Sequence, residues 1–276
     1  MTKRISVLRH ACLAAAGALI LSASSATPAA AADTKVVTLS VRGGKAQQRI
    51  LLIRPDGPPK ASVVLYPGGA GDIRIRDDGS IQFKGNFLVR TRRHFAAEGF
   101  LVAVADRPSD WAGADEDLFR LTPAHAEDAA AIAGVLREEA NAPVWFIGTS
   151  RGSISAANVA SRLGRDRIAG VVLTSSVIHP GKKAKSTVTD ADLAGIAVPV
   201  LILGHGSDDC PITQWPDQEA LAGRFKSSPS VEAIRIDGGH PGNLSEPCGP
   251  FSHHGFIDQE KAVVQRIAAW IRAHSR

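Results

Sequence analysis

The chain has 276 residues, 44% of them hydrophobic and 21% charged, with a formal net charge of +5. Three of its 32 Lys and Arg residues, and none of its 27 Asp and Glu, lie in the first 32 positions, which leaves 29 basic against 27 acidic residues beyond them. That near balance, with no basic stripe and no aromatic interleaving, excludes a nucleic-acid-binding reading.

The chain opens with "MTKRISVLRH", which carries Lys3, Arg4 and Arg9. The apolar stretch "ACLAAAGALILSA" follows, and then the small residues of "SSATPAAAADT". A basic start, an apolar middle and an Ala-x-Ala end predict a secretory signal peptide over residues 1–32, cleaved after Ala32. The apolar run is short of the roughly 20 residues of a membrane span, so no stable membrane insertion is expected after cleavage. Residues 33–276 suffice for one domain with a sizeable core, placed in the periplasm or secreted. Only Cys210 and Cys248 survive cleavage. Two cysteines in an exported chain predict one disulfide. His253 and His254 lie close to Cys248, but no Cys-x-x-Cys pair or regular ligand spacing accompanies them, and no metal is expected.

"TKVVTLSV" and "QRILLIRP" are predicted strands on either side of a hairpin connection, "RGGKAQ". "ASVVLYP" is a third strand and ends in the glycine-rich "GGAGD". The loop "DIRIRDDGSIQFKGN" comes next, with Arg74 and Arg76, and is placed to overhang a site. "FLVRTRRHFAAEG" has helical spacing and stops at Gly99. "FLVAVAD" is a continuous apolar run, as in a strand covered on both faces. The helix "TPAHAEDAAAIAGVLREEA", the strand "PVWFIG" and an Ala- and Ser-rich helix after Arg151 follow. The strands "IAGVVLTSS" and "PVLILG", the helix "QEALAGRF", the strand "VEAIRI" and the amphipathic helix "IDQEKAVVQRIAAWIRAH" complete the chain. Val263, Val264, Ile267 and Ile271 form the buried stripe of that last helix. This alternation predicts an α/β fold, a mostly parallel twisted sheet of about eight strands with helices on both faces. Chemistry in such sheets lies beyond the carboxyl ends of the strands.

Ser150 follows "PVWFIG", inside Gly148-Thr149-Ser150-Arg151-Gly152. A Gly-x-Ser-x-Gly turn between strand and helix exposes a strained serine, and side chains at the flanking positions would collide with strand and helix. The helix behind it adds a positive dipole end beneath a developing oxyanion. Pro67-Gly68-Gly69-Ala70-Gly71 follows "ASVVLY" and offers backbone N–H donors without obstruction. Gly69 or Ala70 would supply one oxyanion-hole donor and Arg151, the residue after the nucleophile, the other. Two carboxylates, Asp208 and Asp209, follow "PVLILG". Three histidines, His240, His253 and His254, follow "VEAIRI". The chain order Ser, Asp, His is that of the α/β-hydrolase triad.

On the segments "GNFLVRTRRHFAAEGFLVAVADRPSD", "VWFIGTSRGSISAA", "PVLILGHGSDDCPIT" and "CGPFSHHGF", the chain resembles the α/β-hydrolases, and more narrowly exported bacterial members of unassigned substrate. The resemblance covers almost all of residues 33–276. It implies a nucleophile at Ser150, an acid just before the first of the two cysteines and a base within His-Gly-Phe. Counting from Pro199 along the strand, as in familiar hydrolases, lands the acid on Asp208; the local His-Gly-x-x-Asp count lands on Asp209.

His240 follows its strand at once, where many such enzymes keep the base. His254 is favoured because it precedes the final helix and lies six residues from Cys248, so that a disulfide would draw it towards Asp208. His253 then reads as a solvent-facing neighbour.

The expected activity is that of an exported serine hydrolase acting on an ester or related acyl bond of a small molecule, through an acyl-enzyme and without a cofactor. Residues 177–198 are too few for a large cap domain, and their Lys182, Lys183 and Lys185 read as a solvated loop. A peptidase or amidase, or a non-hydrolytic relative such as a lyase or perhydrolase, would share these motifs. A binding protein that keeps the fold tends to lose a triad member, and none is missing here.

Overall fold

The computed structural model describes residues 1–2, 33–111 and 116–275; the expected signal peptide otherwise lies outside the described residues. Its strands are β1 (Thr34–Val41), β2 (Ala46–Ile53), β3 (Ala61–Tyr66), β4 (Phe100–Ala105), β5 (Val144–Thr149), β6 (Gly170–Thr174), β7 (Val200–His205) and β8 (Val231–Ile236). They form one sheet in the order β1-β2-β4-β3-β5-β6-β7-β8. β1 pairs antiparallel with β2, and β2 with β4; every later pairing is parallel.

The apolar runs explain which strands lie inside. β3, β4, β5, β6 and β7 are buried along their whole length. β1 and β8, at the two edges, alternate with exposed positions. Successive residues of a strand point to opposite faces. Trp145 and Phe146 accordingly enter two different core clusters. Helices α1 (Phe87–Ala97) and α6 (Glu260–His274) cover the Trp145 face, and Val263, Val264, Ile267 and Ile271 form the expected stripe there. Helices α3 (Pro123–Glu139) and α4 (Arg151–Leu163) cover the Phe146 face. The short helix α2 (Glu116–Arg120) precedes α3.

Helix α5 (Trp215–Leu221) starts three residues before its expected first residue, Gln218. Pro216 sits in its first turn, where a proline pre-sets the helical φ and lacks only an N–H with no intrahelical partner. Between β6 and β7 the chain forms only a 3-10 turn at Val188–Asp190 and no cap domain. No helix among the described residues is long and apolar enough to cross a membrane.

The loop after β3 is organised by one carboxylate. Asp106 accepts from the backbone N–H groups of Ile73, Arg74, Ile75 and Arg107 at 2.9, 3.3, 2.8 and 2.9 Å. Ile73, Ile75 and Ile81 of the same loop are buried in the core cluster beneath α1.

From β3 the chain steps to β4 on one side, and β5 then lies on the other. Ligands of open α/β sheets bind at such a reversal. The register Tyr66↔Gly148 sets Pro67–Gly69 beside Thr149 and Ser150.

Candidate active site

Ser150 caps α4 with φ 52° and ψ −129°, a backbone state that non-glycine residues rarely adopt. Its neighbours hold it there. Ser150 N–H donates to Thr174 O at 3.0 Å, and Ser153 Oγ–H donates to Ser150 O at 2.7 Å. The two glycines are steric necessities. A Cβ on Gly148 would stand 2.2 Å from Gly152 O, and one on Gly152 would stand 2.1 Å from Tyr66 O.

Asp208 is 4% exposed and its carboxylate is fully engaged. Oδ1 accepts from Cys210 N–H at 3.0 Å; Oδ2 accepts from the Thr213 hydroxyl at 2.8 Å. His254 Nδ1 lies 3.1 Å from the same Oδ2 and 3.1 Å from Thr213 Oγ1. Ser175 donates its hydroxyl to His254 O at 2.9 Å and fixes the backbone there. With Nδ1–H turned to Asp208, the Nε2 lone pair of His254 is the one available to a substrate proton. Asp209, one residue on, is exposed.

The other two histidines stand elsewhere. His240 is exposed, and its Nδ1 accepts from Gly242 N–H at 2.9 Å within its own loop. His253 is half-buried rather than turned to solvent. Its ring stacks on His205 at 4.2 Å, and its Nδ1 donates to Ser207 O at 2.9 Å. Sequence reasoning missed this, because the partner ring ends a strand 48 positions earlier.

Cys210 and Cys248 form a disulfide, with Cα atoms 4.6 Å apart. It ties the turn after Asp208 to the segment before His254. Asp208, Cys210 and His254 place ligand atoms within 4.8 Å of one another. A metal would need a thiolate from Cys210, and that sulfur is already bonded to Cys248.

Ser150 and His254 line one cavity of about 190 Å³, together with Gly68, Gly69, Asn86 and Pro250. Gly69 thus shares the cavity of Ser150. Ala70 lines a separate, smaller hollow with Tyr66, Arg120 and His125. Arg151 begins α4 directly behind Ser150, and its side chain donates to Lys183 O at 2.6 Å. Asn86 went unnoticed in the sequence. It caps α1, accepting from Leu88 N–H at 3.1 Å, and its Nδ2 lies 3.1 Å from where a Gly68 Cβ would be. Larger hollows of about 510 and 620 Å³ lie at the opposite ends of β5–β7 and between α1 and α6. Neither is lined by Ser150, Asp208 or His254.

No protein-family model matches the chain, and no curated protein does. Solved structures do. A dienelactone hydrolase from Anabaena variabilis superposes with a TM-score of 0.61 at 15% identity, over 89% of this chain and 99% of that one. A thermostable carboxyl esterase from Bacillus coagulans gives 0.61 at 12% identity, over 88% and 99%. An esterase from Pyrobaculum calidifontis gives 0.59 at 20% identity, over 87% and 85%. At these identities the likeness is one of architecture, and the strand order, the crossovers and the strand-to-helix serine turn agree with it: the chain has the α/β-hydrolase fold.

Proposed function

We propose that the protein is a serine hydrolase that cleaves carboxylic esters of small molecules through an acyl-enzyme. The observation that carries this reading is the meeting of Ser150 and His254 on one cavity, with the histidine held by the buried carboxylate of Asp208. Esterases among the structural neighbours support the same class of reaction.

In this reading His254 Nε2 takes the proton from Ser150 Oγ as the oxygen attacks the ester carbonyl carbon. The carbonyl oxygen becomes an oxyanion facing the N–H of Arg151 and a donor from Gly69 or Ala70. The tetrahedral centre collapses, His254 passes its proton to the alkoxide, and the alcohol leaves. Water then attacks the acyl-serine while His254 takes its proton. The second collapse returns that proton to Ser150 and releases the acid. Asp208 stays ionised throughout and stabilises the imidazolium.

On the small volume beside Ser150, about 190 Å³, we take short acyl groups as the preferred substrates. Export to an oxidising compartment accords with the N-terminal sequence and with the Cys210–Cys248 disulfide.

A fluorophosphonate probe and a chain-length series of p-nitrophenyl esters test the proposal. Label is expected on Ser150 alone, with acetate and butyrate esters turned over faster than octanoate. Full labelling and undiminished hydrolysis in Ser150→Ala would end it.

A further inference from the structure

A buried cation lies under the glycine loop, and the reaction scheme above makes no use of it. Arg120, the last residue of α2, is 4% exposed. Its Nη2 donates to Gly69 O at 3.0 Å and to Pro67 O at 3.4 Å. Its Nη1 donates to Ser155 Oγ at 2.7 Å, in the second turn of α4. One guanidinium therefore joins the loop after β3 to the helix that starts behind Ser150. A charge is tolerated in such a place only when its donors are matched. The hydroxyl accepts from Nη1 and the two carbonyls from Nη2, and Gly71 makes room for the approach. A Cβ on Gly71 would stand 2.8 Å from Nη2.

The geometry has a consequence for the loop's donors. In a trans peptide the C=O and the N–H point in opposite directions. Holding Gly69 O towards Arg120 turns the Ala70 N–H away from it. The turn's own hydrogen bond uses Gly71 N–H, at 3.3 Å from Gly68 O, and does not engage Ala70 N–H. Gly69 borders the Ser150 cavity, which Arg120 does not line, and Ala70 borders the smaller hollow that Arg120 does line.

We infer that Arg120 is a positioning residue. It locks the Gly69–Ala70 peptide so that Ala70 N–H is aimed at the oxyanion forming on the Ser150 adduct, and its charge polarises that peptide. The inference rests on the proposed role of Ser150. Without the clamp, a loop containing Gly68, Gly69 and Gly71 has the largest backbone freedom a chain can have. A flipped Gly69–Ala70 peptide would then present a carbonyl oxygen where a donor is needed. Donors fixed before the reaction are what make an oxyanion hole effective.

Arg120→Met, Arg120→Lys and Ser155→Ala test the clamp. Active sites are titrated with a fluorophosphonate, so that kcat is expressed per labelled Ser150. Phenylboronic acid, which forms a tetrahedral adduct, reads transition-state complementarity. In Arg120→Met, kcat per labelled site is expected to fall on the order of 10²-fold, the loss typical of one oxyanion donor. KM should move by less than about threefold, and the inhibition constant of the boronic acid should rise in parallel with the loss in kcat. Arg120→Lys keeps the charge but not the span, and should recover only part of the rate. Ser155→Ala removes one anchor while keeping the helix, and should fall in the same direction by less.

A merely structural arginine would lower the number of titratable sites and leave kcat per site intact; that result overturns the inference. If Arg120→Met fails to fold by circular dichroism, Ser155→Ala decides, and an unchanged kcat with an unchanged boronic acid constant overturns the clamp. Wild-type protein that takes no label at Ser150 would instead remove the reading of the site, and the clamp with it.

Discussion

Thr213 donates its hydroxyl to Asp208 Oδ2 at 2.8 Å, the same oxygen that faces His254 Nδ1 at 3.1 Å. With Oδ1 taken by Cys210 N–H, every strong contact of Asp208 is with a donor. This fixes the carboxylate's orientation and places the histidine proton on Nδ1. Asp208→Asn would put an amide N–H where an acceptor is needed and reverse the tautomer. A fall in kcat of about 10⁴-fold is expected, with KM little changed. Asp209→Asn should match the wild type, since Asp209 is exposed. Steady-state kinetics on the best p-nitrophenyl ester checks both, and the opposite ranking would move the acid to Asp209.

The three histidines should separate by function. His254→Ala is expected to lose at least about 10³-fold in turnover with its circular dichroism spectrum intact. His240→Ala should stay within about twofold of the wild type, as an exposed loop residue. His253→Ala should fall between, because its ring packs on His205 next to the acid's turn. A collapse of turnover in His240→Ala alone would contradict this placement.

The disulfide joins the two loops that carry Asp208 and His254, across a sequence separation of 38. On the chain-entropy model such a closure contributes about 4 kcal/mol. Cys210→Ser/Cys248→Ser should therefore melt at a lower temperature. Its kcat should also fall, because the Asp208–His254 distance is no longer constrained from both sides. Scanning calorimetry with parallel assays tests this, and a double variant with the wild-type melting temperature would count against it.

His125 supplies a pH-dependent term in stability. Burial, with the charges of Arg120 and Arg42 adding to it, pushes its imidazole down to about 3. Unfolding restores an ordinary value near 6.5. As pH falls from 6.5, the unfolded chain gains a proton that the folded one refuses, so this contribution is lost towards acid. Asp128 acts in the other sense. Burial pushes its carboxyl up to about 6 against the opposing hydrogen bond from Arg42, so its contribution is lost as pH rises through 6. The two oppose between pH 4 and 6. His125→Phe keeps an aromatic ring between Tyr66 and Phe119 and removes one of them. Its unfolding free energy relative to the wild type should rise by about 3 kcal/mol between pH 7 and pH 4. Denaturant titrations at several pH values check it, and parallel curves for the two proteins would refute it.

The sheet and the serine turn were legible in the sequence because their causes are local. β3 to β7 are covered on both faces, so each reads as an unbroken apolar run, and Gly148 and Gly152 flank Ser150 because a methyl group fits at neither position. Asp208 is separable from Asp209 by counting along β7, since a strand fixes the position of the residue that follows it. Thr213, Asn86 and Arg120 left no such trace. Thr213 meets His254 across 41 positions and Arg120 meets Ser155 across 35, and no period or spacing encodes a meeting between separate elements. The early start of α5 was missed for a different reason: Trp215-Pro216 reads as loop punctuation until the proline is seen to occupy a first turn.

Asp106 bears on how the site would meet a substrate. Its backbone hydrogen bonds from Ile73, Arg74 and Ile75, with three buried isoleucines below, make the loop from Asp72 to Gly85 an anchored wall. Phe83 and Gly85 lead from that wall directly to Asn86 at the cavity. The conformational entropy of this segment is surrendered once, when the chain folds, and not again at each encounter with an ester. Turnover would then wait on no closing motion of this loop.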